Sequence, residues 1–287
     1  MNKILIIGKN SYIGNHIEQW LSEKGINVRQ LDVLTDEWKT FDYSGYDSIV
    51  HVAGIVHQPN CKDWELYKRV NADMPVEIAK MAKRCGVKQY IFFSSMGVYG
   101  VDKKLTPNTI DINTPLLPND MYGKSKLMAE EGLRKLQDSI FNVVCVRPPS
   151  VYGKGCRGGY ISGFASIVRV LPIIPRVYED VKQSFIYIDN LSEFVRLAIV
   201  NNLNGNYCPQ DDKAVSANEL LEAIASGMCK KYRSSSLMGL FVRLISFMPI
   251  VKKAYGGIAY DKSLSDIEKM NYVVVPFEEG MKRTVTQ

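Results

Sequence analysis

A strand-like run that breaks into glycine and then into a helix leaves a chain few folds to choose from. Residues 3–7 (KILII) are such a run, and Gly8-Lys-Asn-Ser-Tyr-Ile-Gly14 follows at once, leading into a helical pattern over 13–24. The same alternation continues. Runs at 27–31, 48–52, 89–93 and 142–146 read as strands, and 64–85 and 125–138 read as helices between them. Several strand runs are apolar almost without interruption, as expected of parallel strands covered on both faces. Strand, helix, strand repeated in this way predicts a doubly wound parallel α/β sheet.

Beyond about residue 150 the pattern loosens. Glycines 153, 155, 158 and 159 crowd one loop beside Arg157, FIYI (185–188) reads as a strand entering a helix over 190–201, and S-A-N-E (216–219) opens a helix over 218–228. The expected division is therefore 1–150, with 183–201 returning to it, and a smaller α/β C-terminal domain in 151–287. Residues 237–251 form the most apolar stretch of this half, flanked by Lys230, Lys231, Arg233, Lys252 and Lys253. Core packing of the second domain is the expected role. An amphipathic helix on a membrane surface is the alternative.

Composition excludes more than it assigns. With 46% apolar and 23% charged residues the 287-residue chain is ordinary globular material. No run of 18 uncharged apolar residues exists to span a bilayer, and the N-terminal apolar run is too short for a signal peptide. A net charge of +6 without a basic block argues against a nucleic-acid partner. Six cysteines without a C-x-x-C pair, beside three histidines, make a metal site improbable and suit a reducing cytoplasm. Cys85 and Cys145 are expected to be small core residues.

Three motifs carry chemistry. In the first, Gly8 allows a tight turn and Gly14 lets a helix approach the sheet, so that the helix N-terminus offers free N–H groups to a pyrophosphate. Ser11 stands where the usual second glycine would be. Asp32, ending the second strand, suits the ribose hydroxyls of an adenosine and repels a 2′-phosphate, which favours NAD over NADP; as a turn residue it would need no ligand. In the second, Tyr122 and Lys126 lie i, i+4 on one helix face, where the ammonium should lower the phenol's pKa for proton transfer. In the third, Ser94-Ser-Met-Gly-Val-Tyr-Gly100 follows the carboxyl end of a parallel strand, where such sheets bind ligands, though serine is also a common turn former.

In order and spacing these motifs resemble the extended short-chain dehydrogenase/reductase (NAD-dependent epimerase/dehydratase) family. H-V-A-G at 51–54, V-N at 70–71, R-P-P-S-V-Y-G at 147–153 and F-I-Y-I-D-N at 185–190 extend the likeness over nearly the whole chain. The resemblance implies a Rossmann domain holding NAD through Gly8, Ser11, Tyr12, Ile13, Gly14, Asp32, Ala53, Gly54, Tyr122, Lys126 and Pro149. It implies Ser95, Tyr122 and Lys126 as catalytic residues and Ser95, Ser150, Lys182 and Gln183 at the substrate, with no metal. Many relatives place an arginine where Gln183 stands, a role that Lys182 or Arg176 could take.

The implied substrate is a nucleotide sugar, probed by hydride transfer at C4. Met96 and Gly97 occupy the positions of the family dehydratases' acid/base pair, and Met96 the cysteine position of its 3,5-epimerising reductases, so neither reaction is expected. A UDP-hexose or UDP-N-acetylhexosamine 4-epimerase is the leading expectation. A 4-keto reductase of a UDP-deoxysugar in surface-polysaccharide synthesis, or a catalytically idle NAD(H)-binding sensor, are the alternatives. The resemblance also implies a cytoplasmic homodimer.

Overall fold

The computed structural model describes residues 3–56, 63–156, 159–267 and 270–286. Cys61 and the Arg157–Gly158 part of the glycine-rich loop lie outside them. Along the chain come β1 (Lys3–Ile7), α1 (Tyr12–Glu23), β2 (Asn27–Leu31), β3 (Ser48–His51), α2 (Trp64–Tyr67), α3 (Met74–Arg84), β4 (Gln89–Phe93), β5 (Thr109–Ile110) and α4 (Met121–Arg134). Then follow β6 (Asn142–Val146), β7 (Ser150–Tyr152), α5 (Gly159–Val170), β8 (Ile173–Pro175), β9 (Phe185–Tyr187), α6 (Ile188–Val200) and β10 (Gly205–Tyr207). The chain ends with α7 (Ala217–Gly227), β11 (Arg233–Ser235), α8 (Ser236–Leu244), α9 (Pro249–Tyr255), β12 (Ala259–Tyr260) and α10 (Phe277–Val285).

Two compact units share these elements. The first takes residues 1–101, 115–148 and 191–209, and the second takes 102–114, 149–190 and 210–287. At the centre of the first is a six-stranded parallel sheet in the order β10-β6-β4-β3-β1-β2. Strands β1, β4 and β6 are near-continuous apolar runs of the sequence, and β3 is buried along its whole length. Ile4, Leu5, Ile6, Ile7, Ile91 and Phe92 are fully buried among them. The chain passes from β1 outward to β2 and then back to β3 on the other side. That reversal places the topological switch point between the carboxyl ends of β1 and β3, where sheets of this kind bind ligands.

Residues 64–84 form not one regular helix but α2, a stretch of π-helix (Lys68–Asp73) and α3. Pro75 has no N–H to give to the carbonyl of residue 71, so a uniform α-helical ladder cannot run through this point. Helix α4 begins four residues before the expected 125, because Asp120 caps it with its carboxylate 2.6 Å from Gly123 N. Cys145 is buried as expected, but Cys85 is exposed. It is the C-cap of α3, where the chain turns outward into Gly86 (φ +85°) rather than into the core.

The second unit is built from small parallel pairs, β7–β9, β8–β11 and β5–β12, with α5, α7, α8, α9 and α10. The S-A-N-E run forms a full capping box at the start of α7, Ser216 and Glu219 each bonding the other's backbone N–H. Asp211 ties β9 to its surroundings, accepting from Tyr152 Oη (2.7 Å), Tyr187 N (2.9 Å) and Asn190 Nδ2 (2.8 Å). Burial nonetheless raises its pKa to about 6.

Residues 237–251 do not pack a core. Leu237, Leu240, Phe241, Leu244, Phe247 and Ile250 are each more than half exposed, and only Gly239 and Val251 are buried. A helical apolar stripe has the same period whether it faces a core or the outside, so the sequence pattern could not tell which.

Candidate active site

The turn after β1 sits at the switch point. Gly8 takes φ +121°, and a Cβ there would lie 2.9 Å from Ala53 N, so no other residue could bring the β1 and β3 ends this close. Ser11 caps α1: its Oγ donates to Gly8 O (2.8 Å) and accepts from Gly14 N (3.1 Å). The hydroxyl that replaces the family's glycine thus closes the turn. The first turn of α1 carries no acidic residue, leaving its positive dipole end uncompensated. Tyr12 and Ile13 begin that helix, with the Tyr12 ring against His16 at 4.4 Å.

A cavity of about 780 Å³ opens beside this turn, lined by Gly8, Ser11, Asp32, Ala53, Gly54 and Arg69 among others. Its volume is that of a cofactor-sized cleft. Asp32 accepts from Leu34 N (2.9 Å) through Oδ1. A glycine cradle, an acid-free helix N-terminus and an aspartate at the second strand's end together fit a dinucleotide whose pyrophosphate lies on α1.

The catalytic candidates gather at the ends of β4 and α4. Ser95 Oγ accepts from Gly97 N (3.0 Å), which leaves its proton for a hydrogen bond to the Tyr122 phenol. Gly123 makes the approach possible, since a Cβ there would stand 2.5 Å from Gly97 O. Lys126 is buried, its Nζ donating to Phe93 O (2.7 Å) and lying 4.6 Å from the centre of the Phe92 ring. Burial holds its pKa down at about 7, against the pull of the Glu130 carboxylate.

That environment corrects the expected effect on Tyr122. Its pKa is raised, first by burial and then by Asp120 and Tyr67, with the Ser95 hydrogen bond acting the other way. Lys126 is not among the groups that shift the phenol; its Nζ is turned to the carbonyl of Phe93.

Several residues around the pair had no role in the sequence reading. Asn71 is fully buried and joins three segments: its Oδ1 accepts from Ile55 N (2.8 Å), and its Nδ2 donates to Ile55 O (2.9 Å) and Ser125 Oγ (3.1 Å). Ser125 Oγ in turn donates to Tyr122 O (2.8 Å). The V-N dipeptide was the only signal of this. His51 lies buried with Nδ1 2.6 Å from Tyr90 Oη, which is also 3.0 Å from Pro75 O. Burial and the nearby Lys126 push the His51 pKa down to about 3, keeping it neutral. Below Lys126, Glu130 and Arg147 form a buried bidentate pair, Nε–Oε1 2.9 Å and Nη2–Oε2 2.5 Å, with Arg147 Nη1 also donating to Tyr99 Oη (2.9 Å).

Of the expected sugar-side residues, Ser95 belongs to the first unit, and Ser150, Lys182 and Gln183 belong to the second. Pro149 is buried and Ser150, exposed, opens β7. Gln183 Nε2 is 3.5 Å from Ser150 Oγ. Lys182 is paired with Glu219 at 2.7 Å and Arg176 with Glu179 at 3.0 Å, so both are already engaged with carboxylates. The cation at Gln183 is instead Lys103, whose Nζ donates to Gln183 Oε1 (2.6 Å) and sits 3.9 Å from the centre of the Tyr160 ring. Burial and Lys253 lower its pKa to about 8. It lies far from Gln183 in sequence and in no motif. Among the described residues no group of three or more His, Cys, Asp or Glu side chains could hold a metal ion.

A switch-point cleft with a glycine turn, beside Ser95 just after β4 and Tyr122 and Lys126 on α4, defines a dinucleotide-dependent enzyme of the short-chain dehydrogenase type. The model of the NAD-dependent epimerase/dehydratase family matches residues 4–207, and the chain belongs to that family. It is 31% identical over 188 residues to the UDP-glucose 4-epimerase of Vibrio cholerae, covering 63% of this chain and 57% of that protein. It is 25% identical over 258 residues to the N-acetyl-alpha-D-glucosaminyl-diphospho-ditrans,octacis-undecaprenol 4-epimerase of Escherichia coli O157:H7, covering 82% and 75%. In fold it is similar to the Bordetella bronchiseptica enzyme WbmH solved with NAD+ (TM-score 0.72, 20% identity, 99% of this chain and 97% of that one). Among the described residues no helix is long and apolar enough to cross a membrane.

Proposed function

We propose that this protein is a C4 epimerase of a sugar 1-diphosphate, with a UDP-hexose or UDP-N-acetylhexosamine as substrate. The observation that carries the reading is Tyr122, hydrogen-bonded to Ser95 and one helical turn from the buried Lys126. Bound NAD, held by the Gly8–Gly14 turn, Asp32, Ala53 and Gly54, would supply reversible hydride acceptance at C4. Tyr122 takes the C4 hydroxyl proton and later returns it to the other epimer. Ser95 donates to the same oxygen, and Lys126 holds the ribose on the nicotinamide side. Tyr122 is the second residue of α4, so the helix's positive end favours its phenolate, while Ser95 offsets part of the cost of burial.

In the second unit we assign Pro149 to the nicotinamide end, Ser150 and Gln183 to the sugar diphosphate, and the anion-facing role expected of Lys182 to Lys103. The first unit would thus be the cofactor domain and the second the substrate domain of a cytoplasmic homodimer. Both relatives named as epimerases act, by their names, on a sugar diphosphate at C4, which supports the reaction more than it does the carrier.

The test is product analysis by NMR after incubation with UDP-glucose and with UDP-N-acetylglucosamine, without added NADH. Formation of the galacto isomers, lowered by about 10²–10⁴-fold in Tyr122→Phe, is the expected result. Turnover only of a 4-keto sugar with added NADH would make the enzyme a reductase. No turnover of either, with NAD bound, would leave it a binding protein.

A further inference from the structure

The outward-facing segment 237–255 has a second function to offer. In α8, Leu237, Leu240, Phe241 and Leu244 recur at i, i+3, i+4 and i+7, which makes one stripe, and these four are 79%, 57%, 62% and 68% exposed. The opposite face is the one that packs. Gly239 is pressed so closely on the second unit's backbone that a Cβ would fall 2.0 Å from Arg176 O, and Arg243 lies 5.6 Å from the centre of the Tyr178 ring. The stripe is therefore turned outward by the helix's own seat. Phe247 (82%) and Ile250 (60%) continue it into α9. Beside it, β11 pairs with β8 so that Arg233 stands opposite Ile173, next to exposed Val170 and Leu171. A contiguous apolar face of this kind is uncommon on a protein that meets only water.

Charge says what covers it. Lys230, Lys231, Arg233, Arg243, Lys252 and Lys253 are all exposed, and residues 223–260 contain no Asp or Glu. A two-fold contact with a second copy would set this cationic segment against itself. An anionic lipid surface complements it, drawing in the lysines and arginines while Phe and Leu enter the headgroup boundary. We propose that α8 and α9 form a docking site for anionic membrane surfaces, by which the protein binds a bilayer peripherally without spanning it. The inference is independent of which sugar the active site takes.

The experiment is co-sedimentation of the full-length protein with vesicles of phosphatidylcholine alone and of three parts phosphatidylcholine to one part phosphatidylglycerol. Wild type is expected on the anionic vesicles, and raising the salt should weaken its binding. Lys231→Glu/Lys252→Glu should lower the partition coefficient at least about tenfold, and Leu240→Gln/Phe241→Gln/Phe247→Gln should abolish binding. All these positions are exposed, so thermal unfolding and NAD binding should match wild type, as should turnover of any soluble substrate. Absence of binding to anionic vesicles would overturn the proposal, as would binding that both variants leave unchanged. So would a dimer, measured by light scattering, that the triple variant dissociates while wild type ignores the vesicles.

Discussion

The buried pair Glu130–Arg147 begins one helical turn along α4 from Lys126, and its removal gives a worked prediction. The Glu130 side chain is fully buried and that of Arg147 is 6% exposed. Desolvating two charges costs several kcal/mol each, and their mutual attraction with two parallel hydrogen bonds roughly offsets this. Glu130→Gln keeps the shape but leaves Arg147 without its counter-charge, which should cost about 3–5 kcal/mol. At about 2–4 °C of Tm per kcal/mol for a large domain, the fall should be on the order of 10 °C. Arg147→Met should cost a similar amount by stranding the carboxylate. The double variant Glu130→Leu/Arg147→Met should recover most of the loss, because no buried charge remains. Differential scanning calorimetry of all three tests this. Single-variant losses below about 1 kcal/mol, or a double variant losing the sum of the two, would refute the reasoning.

Other consequences can be checked in the same preparations. Lys126 has a folded pKa of about 7, below its ordinary 10.5. The unfolded chain therefore binds more protons between those values, and wild type should gain stability over Lys126→Met as pH rises from about 7 to 10 and hold a constant deficit below 7. Thermal melts at pH 6 and pH 9.5 give the sign. Ser95→Ala should lower kcat about 10²-fold or more with little change in KM if, as proposed, its donor acts on the reacting oxygen. Gly123→Ala places a methyl 2.5 Å from Gly97 O and must push α4 off the 96–99 turn; activity should fall together with Tm. Asp32→Ala should raise the NAD dissociation constant about 10–100-fold by calorimetric titration, as loss of charge-assisted hydrogen bonds requires.

How far the sequence alone carries depends on whether an interaction is local. Strands β1, β4 and β6 were legible with their boundaries because fully buried parallel strands are unbroken apolar runs. The α7 capping box and the Tyr122–Lys126 spacing were legible because their partners lie within one turn. Asn71, Glu130 and Lys103 were not, since each gains its role from a partner brought up by the fold. The engagement of Lys182 by Glu219 is illegible for the same reason. Spacing places Tyr122 near a cation but does not report the burial that raises its pKa. For α8 the periodicity was readable and its direction was not; only the packing of Gly239 fixes which face is outward.

The central claim is hydride exchange at C4 with Tyr122 as the proton carrier, and it is tested most directly with substrate deuterated at C4. UDP-[4-2H]glucose or its N-acetylated counterpart is incubated with the purified protein without added NADH, and the galacto product is analysed by NMR and mass spectrometry. Retention of deuterium at C4, with product formation nearly abolished in Tyr122→Phe, is the predicted result. Loss of the label to solvent, or undiminished turnover by Tyr122→Phe, would contradict the account.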